Sequence, residues 1–395
     1  MLKVWNMVLV ILTFALTIFG TFLTRSGVIS SVHSFTQSGL GPFFLIFLGV
    51  ILVISLAMLF WRLPLLKSKN ELESVFSREA TFLLNNLLFV GIAFTVFWGT
   101  VFPVLSEWVR GVKITVGPPF FNQVNAPLGL ALMFLMGVGP IIAWRRASWS
   151  SLKRAFAVPV LVGIGTGVVA LVLGAGNFYA IVAFSISAFA LATVLTEFWK
   201  GMRVRQTMMG EAPWVALSRL IGKNRRRYGG YVVHVAMVMI FVGIVASSIF
   251  KIELQTGVEV GKSVEIGGYT VRFDGIEDES TPHVEIRKAK LAVFEDGEQL
   301  GYVYPEKRFY KKPQQPTTEV AIWSTLGSDL YTVLGTYDPD SKVGVFQIFL
   351  NPMISWMWIG GFVMFFGTVI CMWPSYAERT SEATSRVPAG SRTAS

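Results

Sequence analysis

The chain has 395 residues, 53% of them hydrophobic and only 15% charged, with mean hydropathy +0.58, a pI near 9.7 and a formal charge of +10. A soluble surface needs roughly 25 to 35% charged residues, so a soluble enzyme is excluded. Bases on so apolar a chain read as the cytoplasmic loops of a polytopic membrane protein, and no nucleic acid is expected as a partner.

Apolar runs long enough to cross a ~30 Å hydrocarbon core lie at 3–24, 40–61, 83–104, 127–144, 157–175, 178–198, 230–250 and 349–373. The fold class expected is therefore a polytopic α-helical membrane protein of about eight transmembrane helices. The first run follows Lys3 and leads into Thr24, Arg25 and Ser26 without a small-residue cleavage site, so it reads as a retained span and not a signal peptide. Basic content alternates along the connections: Arg25 alone, then Arg62, Lys67, Lys69 and Arg78, then Arg110 and Lys113, then Arg145, Arg146, Lys153 and Arg154. The short link from Gly174 to Phe178 has no base and makes the fifth and sixth spans a hairpin, whereas Lys200 to Arg227 carries eight bases. By the positive-inside rule both termini face the cytoplasm. The protein is expected in the inner (cytoplasmic) membrane, with the loops around His33 and Pro118 on the outer, periplasmic side.

Between the seventh and eighth runs the composition changes. Residues 251–348 hold 11 basic and 16 acidic side chains, net −5, and the rest of the chain 23 and 8, net +15, which together give the +10. Segments 258–266, 269–274, 283–295, 300–304, 317–323 and 330–335 alternate apolar and polar residues between Gly-Gly, Asp-Gly and Asp-Pro-Asp breaks. A small antiparallel β-domain is expected there, inserted before the last helix. The domain division is thus a seven-helix membrane domain over 1–250, an external β-domain over 251–348, a final span over 349–374 and a disordered cytoplasmic tail over 375–395.

Cys371 is the only cysteine, so metal or heme chemistry must use His33, His234, His283 or acidic and sulfur groups. His33 sits in a mostly apolar stretch beyond the first span, where it reads either as a solvated loop residue or as an interfacial ligand, since neutral imidazole ligates heme iron. Arg25, eight residues earlier, is placed to pair with a heme propionate. His234 falls inside the seventh run, where an ionisable group is costly and reads as functional by default, a hydrogen-bonded structural histidine being the alternative. Gly230, one turn earlier, leaves room for a flat macrocycle on the same helical face. Arg225 to Arg227, at that span's entry, read as propionate anchors or as a topogenic stop. His283, after Pro282, reads as a surface residue. The outer loop 101–127 contains Glu107, Trp108, Arg110, Pro118, Pro119, Phe120, Phe121 and Asn122, and reads as a rigid interfacial cap or the wall of a pocket. A phosphate-cradling Gly-rich loop, CxxC, HExxH and GxSxG are absent from the sequence, which disfavours nucleotide-driven transport and hydrolase chemistry.

Five motifs in order over about 220 residues resemble the CcmF family, the heme-lyase component of system I cytochrome c maturation. They are Gly20 to Phe35 (GTFLTRSGVISSVHSF), Gly99 to Pro103 (GTVFP) with Glu107, Gly117 to Asn122 (GPPFFN) with Pro127, Gly137 to Pro140 (GVGP) leading to Trp144 and Arg145, and Tyr228 to His234 (YGGYVVH). The resemblance implies a heme lyase that takes heme from the chaperone CcmE and helps join its vinyl groups to the two thiols of a CxxCH motif in apocytochrome c, alongside CcmH- and CcmI-type thiol-handling and docking proteins. It implies His33 as an axial ligand of the external heme and His234 as one of two ligands of a transmembrane heme b, with Glu107, Arg110 and Asn122 as pocket residues and no catalytic group identified. The family's tryptophan-rich WWD segment and the second histidine of each heme pair lie before the region matched, so the expected first partner is an N-terminal WWD-containing CcmF half, from a split gene or because this reading frame is truncated. Two readings from other classes compete: a transporter or quinone-reactive membrane protein without lyase activity, and a structural subunit whose β-domain docks other maturation factors.

Overall fold

The computed structural model describes residues 3–28, 39–66, 77–142, 148–312 and 314–374. His33, Trp144, Arg145 and the 375–395 tail lie outside the described residues. Eight of the helices are long and apolar enough to cross a membrane: α1 Lys3–Ser26, α2 Gly41–Leu66, α3 Arg78–Arg110, α4 Pro118–Val138, α5 Trp149–Val172, α6 Phe178–Met209, α8 Arg225–Ile249 and α9 Ile354–Met372. The short α7, Pro213–Lys223, is an additional helix within the base-rich stretch that the sequence left as a connection.

Several helices extend beyond the apolar runs, because a helix keeps its hydrogen bonds until a cap stops it. Ser77 caps α3 by accepting the Ala80 N–H at 3.1 Å, and Gly111 at φ 68° ends it. Asn177 caps α6 in the same way, and Gly210 at φ 64° ends it. Left-handed φ costs glycine nothing, so these are ordinary helix stops. The expected loop 101–127 is therefore mostly helical, and only 111–117 joins α3 to α4. Ser106 holds that link: its hydroxyl donates to Pro103 O at 2.9 Å and accepts the Ile114 N–H at 2.9 Å.

The chain divides into two compact units, 1–135 with 142–152, and 136–141 with 153–395. In the first, α1 packs on α2 and Phe19 of α1 meets Phe97 of α3 at 5.4 Å. A Cβ on Gly99 of α3 would lie 2.5 Å from the Phe121 ring of α4, so glycine sets that approach.

In the second unit α8 is the hub. Tyr228, Tyr231 and Val235 pack with Val194 and Phe198 of α6 and with Leu220 of α7. A second face, with Gly229, Ala236 and Gly243 at seven-residue spacing, meets α9, whose Gly360 and Gly367 repeat that spacing. A Cβ on Gly360 would fall 2.9 Å from Ala236 O, and one on Gly229 would fall 2.6 Å from Cys371 Sγ. Small residues at this period let two backbones touch in a medium where burial of apolar groups gives no driving force.

Ten strands follow α8 among the described residues: β1 Ile252–Glu259, β2 Ser263–Ile266, β3 Tyr269–Ser280, β4 Val284–Glu295, β5 Glu298–Val303, β6 Glu306–Tyr310, β7 Gln315–Glu319, β8 Ala321–Ser324, β9 Ser328–Asp338 and β10 Val343–Pro352. One sheet runs β1-β10-β9-β8 and the other β2-β3-β4-β6-β7, with β5 also on β4. All pairs are antiparallel. Phe273, Leu291, Leu330, Leu334, Phe346 and Ile348 fill the core between them. Residues 349–352, read from sequence as the start of the last span, are strand: Leu350 pairs with Ile252 of β1 and Leu330 of β9, because a buried strand and a membrane helix are equally apolar.

Candidate functional site

α8 presents a third face to neither neighbour. Gly230, His234, Met237, Phe241 and Ile244 follow one another at steps of four, three, four and three residues, so helical geometry lines them up. Buried Tyr228 and Tyr231 define the α6 side and Gly229 and Ala236 the α9 side. On the third face Met237 and Ile244 are exposed, His234 is half-buried, and a Cβ added to Gly230 would meet nothing within 4 Å.

His234 Nδ1 is buried and has no hydrogen-bond partner. An unpartnered polar atom in an apolar setting costs on the order of 1 to 3 kcal/mol. This nitrogen makes no hydrogen bond to a neighbouring carbonyl or hydroxyl among the described residues. An imidazole with unused capacity, a glycine one turn earlier with open space beside it, and apolar Met237 and Phe241 beyond fit a flat, apolar, metal-bearing ligand such as heme. No group of three or more His, Cys, Asp or Glu among the described residues makes a metal site of another kind.

The arginines at the α8 entry are otherwise engaged. Arg227 Nη2 donates to Glu197 at 2.6 Å and its Nε to the Tyr231 hydroxyl at 2.9 Å, while Arg225 Nη1 donates to Pro374 O at 2.9 Å. They join α8 to α6 and to the end of α9.

The remaining predicted residues belong to the first unit. Arg25 ends α1. Glu107 and Arg110 are exposed in the last turn of α3, and neither has an ion-pair partner among the described residues; Asn122 is exposed in the first turns of α4. The 111–117 link brings these two helix ends together in sequence, and Ser106 ties it back. Sequence reasoning missed Asn125, whose Oδ1 is buried without a partner one turn further into α4. An amide within an apolar run was the available signal. His283 lies in an exposed turn, with its N–H donating to Thr281 Oγ1 at 3.4 Å.

A profile described as the CcmF C-terminal beta-sandwich matches residues 249–352. The cytochrome c-type biogenesis protein CcmF of Haemophilus influenzae is 31% identical over 374 residues, 94% of this chain and 56% of that protein. CycK of Bradyrhizobium diazoefficiens is 32% identical over 376 residues, again 94% and 56%. Among solved structures, one titled Cytochrome c Heme Lyase CcmF superposes with a TM-score of 0.70 at 26% identity, covering 94% of this chain and 55% of that one. The chain spans a little over half the length of the relatives it matches.

Proposed function

We propose that this chain, a homologue of the CcmF and CycK cytochrome c-type biogenesis proteins over 94% of its length and the bearer of a CcmF C-terminal β-sandwich, acts as the C-terminal portion of a cytochrome c heme lyase. It receives heme from the chaperone CcmE on the outer face of the inner membrane and helps attach it to the CxxCH thiols of apocytochrome c, with CcmH- and CcmI-type proteins presenting the substrate. A WWD-containing N-terminal CcmF half supplies the other histidine of each pair. The observation that carries the reading is the buried, unpartnered His234 Nδ1 on the face of α8 that turns to neither α6 nor α9, beside Gly230.

In this reading His234 ligates a heme b within the membrane, and His33, beyond the described residues, ligates the heme that is the substrate. A heme b supplies one-electron redox chemistry when bound. The chain's own contribution is position: an axial histidine holds the substrate heme with its vinyl edge toward the docked peptide, and such orientation supplies up to roughly 7 to 11 kcal/mol of a barrier in ideal intramolecular cases. Arg25 pairs with a propionate, and Glu107, Arg110 and Asn122 at the α3 and α4 ends border the same external pocket.

Co-expression with a WWD-containing partner tests this. The pair should carry a b-type absorption band that His234→Ala removes. His33→Ala should keep the band and abolish cytochrome c maturation, and His283→Ala should change neither. A heme-free pair whose properties His234→Ala leaves unaltered excludes the transmembrane assignment, and normal maturation by His33→Ala excludes the external one.

A further inference from the structure

A groove of about 590 Å³, remote in sequence from the histidines, is lined by Val158 of α5, by Leu195, Thr196, Phe198, Trp199 and Met202 of α6, and by Leu217 of α7. Its walls are apolar, and the one hydroxyl is already used, since Thr196 Oγ1 donates to Ala192 O at 2.7 Å. Leu195 and Trp199 are both more than half exposed, so the groove is open along its length. Nothing in it suits a polar metabolite.

Its end is marked by charge. One helical turn from Val158 on α5 stands Arg154, and one turn from Trp199 on α6 stands Arg203, each toward the base-rich end of its helix. Arg203 lies over the Trp199 ring at 4.7 Å. Both arginines are exposed, and among the described residues neither has an acidic partner. Neighbouring bases differ: Arg205 and Arg219 both bond Glu211, and Arg227 bonds Glu197. Exposed Trp199 and Trp214 stand at this same end of α6 and α7, as aromatic rings do at a membrane–water boundary. The positive-inside rule accounts for bases at this end of the helices; what singles out Arg154 and Arg203 is that each stands one turn beyond the lining of the same groove, on two different helices, without an acidic partner among the described residues.

We propose that this groove binds an anionic phospholipid, with an acyl chain along Val158, Leu195, Phe198 and Met202 and the phosphate between Arg154 and Arg203. The volume is within the range of ligand sites, and basic pockets between membrane helices select anionic head groups. The occupant tightens the α6–α7 end on which α8 packs.

The full chain, placed in nanodiscs of phosphatidylcholine doped with phosphatidylglycerol, is released into native mass spectrometry and its retained lipids are counted. Phosphatidylglycerol should be retained over phosphatidylcholine, and Arg154→Gln and Arg203→Gln should each reduce that preference by about fivefold. Arg154→Lys with Arg203→Lys keeps the charge and should keep most of the preference, which separates loss of the site from loss of the fold. Leu195→Trp with Met202→Trp fills the groove and should remove retention with both arginines intact. The proposal is overturned if the double glutamine variant retains phosphatidylglycerol as the parent does, if the groove-filled variant binds it unchanged, or if glycerol 3-phosphate displaces it at equal concentration, which would mark a free-phosphate site.

Discussion

Two glycines on α8 and α9 illustrate opposite meanings of the same residue. Gly360 touches its neighbour, with Ala236 O and Ile240 Cγ1 at 2.9 and 2.7 Å from an added Cβ, so Gly360→Leu should part the helices and cost about 1 to 3 kcal/mol in a denaturant titration of the full chain. Gly230 faces open space. Gly230→Leu should leave stability unchanged or raise it by up to about 1 kcal/mol from helix propensity, yet remove the b-type band from the co-expressed pair if heme lies over that face. Glu211 makes a third residue-scale case. Its hydrogen bonds from Arg205, then Arg219, hold its carboxyl below the ordinary glutamate range. A depressed folded-state pKa gives stability that is present above the unfolded value and lost as pH falls through the folded one. The thermal stability difference between the parent and Glu211→Gln should therefore be present at pH 7 and shrink below about 4.5, as followed by intrinsic fluorescence.

At the scale of elements, β10 is the segment whose composition misleads. Gly344, Phe346, Ile348 and Leu350 alternate inward, while the run continues without a polar break into α9. Met353, at φ 57° with its N–H donating to Gly327 O at 2.8 Å, separates strand from helix. Ser355 Oγ and Trp356 Nε1 donate to Thr325 O and Leu326 O, so the start of α9 is fastened to the 325–328 turn of the sandwich. Phe346 is fully buried against Phe273 at 5.0 Å. Phe346→Ala should cost about 3 to 5 kcal/mol, seen as proteolysis confined to 252–352 while the helices stay protected. The six alternating segments touch eight of the ten strands among the described residues, with 258–266 running across the break between β1 and β2 and 317–323 across that between β7 and β8; β6 and β10 lie outside them, because their pairing, not their pattern, makes them strands.

Across the whole chain, charge separates into a basic helical body and an acidic β-domain, and the proposed orientation follows from it. In a Cys371→Ala background, Ser341→Cys should react with a membrane-impermeant maleimide from the outside, and Ser381→Cys only after permeabilisation. Labelling of both from one side would overturn the assignment of the β-domain and the tail to opposite faces.

Composition and run length alone determined eight membrane-spanning helices and a β-domain before the last, because hydrocarbon thickness and the alternation of side chains along a strand act locally on sequence. His234 and Gly230 were legible for the same reason, being one turn apart on one helix. Tertiary structure decided the rest. The pairing of β1 with β10 brings the end of α8 and the start of α9 side by side, and only then do Gly229, Gly243, Gly360 and Gly367 form one seam. That seam and the tyrosine face on α6 occupy two sides of α8, and His234 lies on the side that neither takes. No local pattern states which side of a helix its neighbours will take, since that depends on contacts between residues 30 positions apart on the α6 side, as for Glu197 and Arg227, and more than a hundred apart on the α9 side.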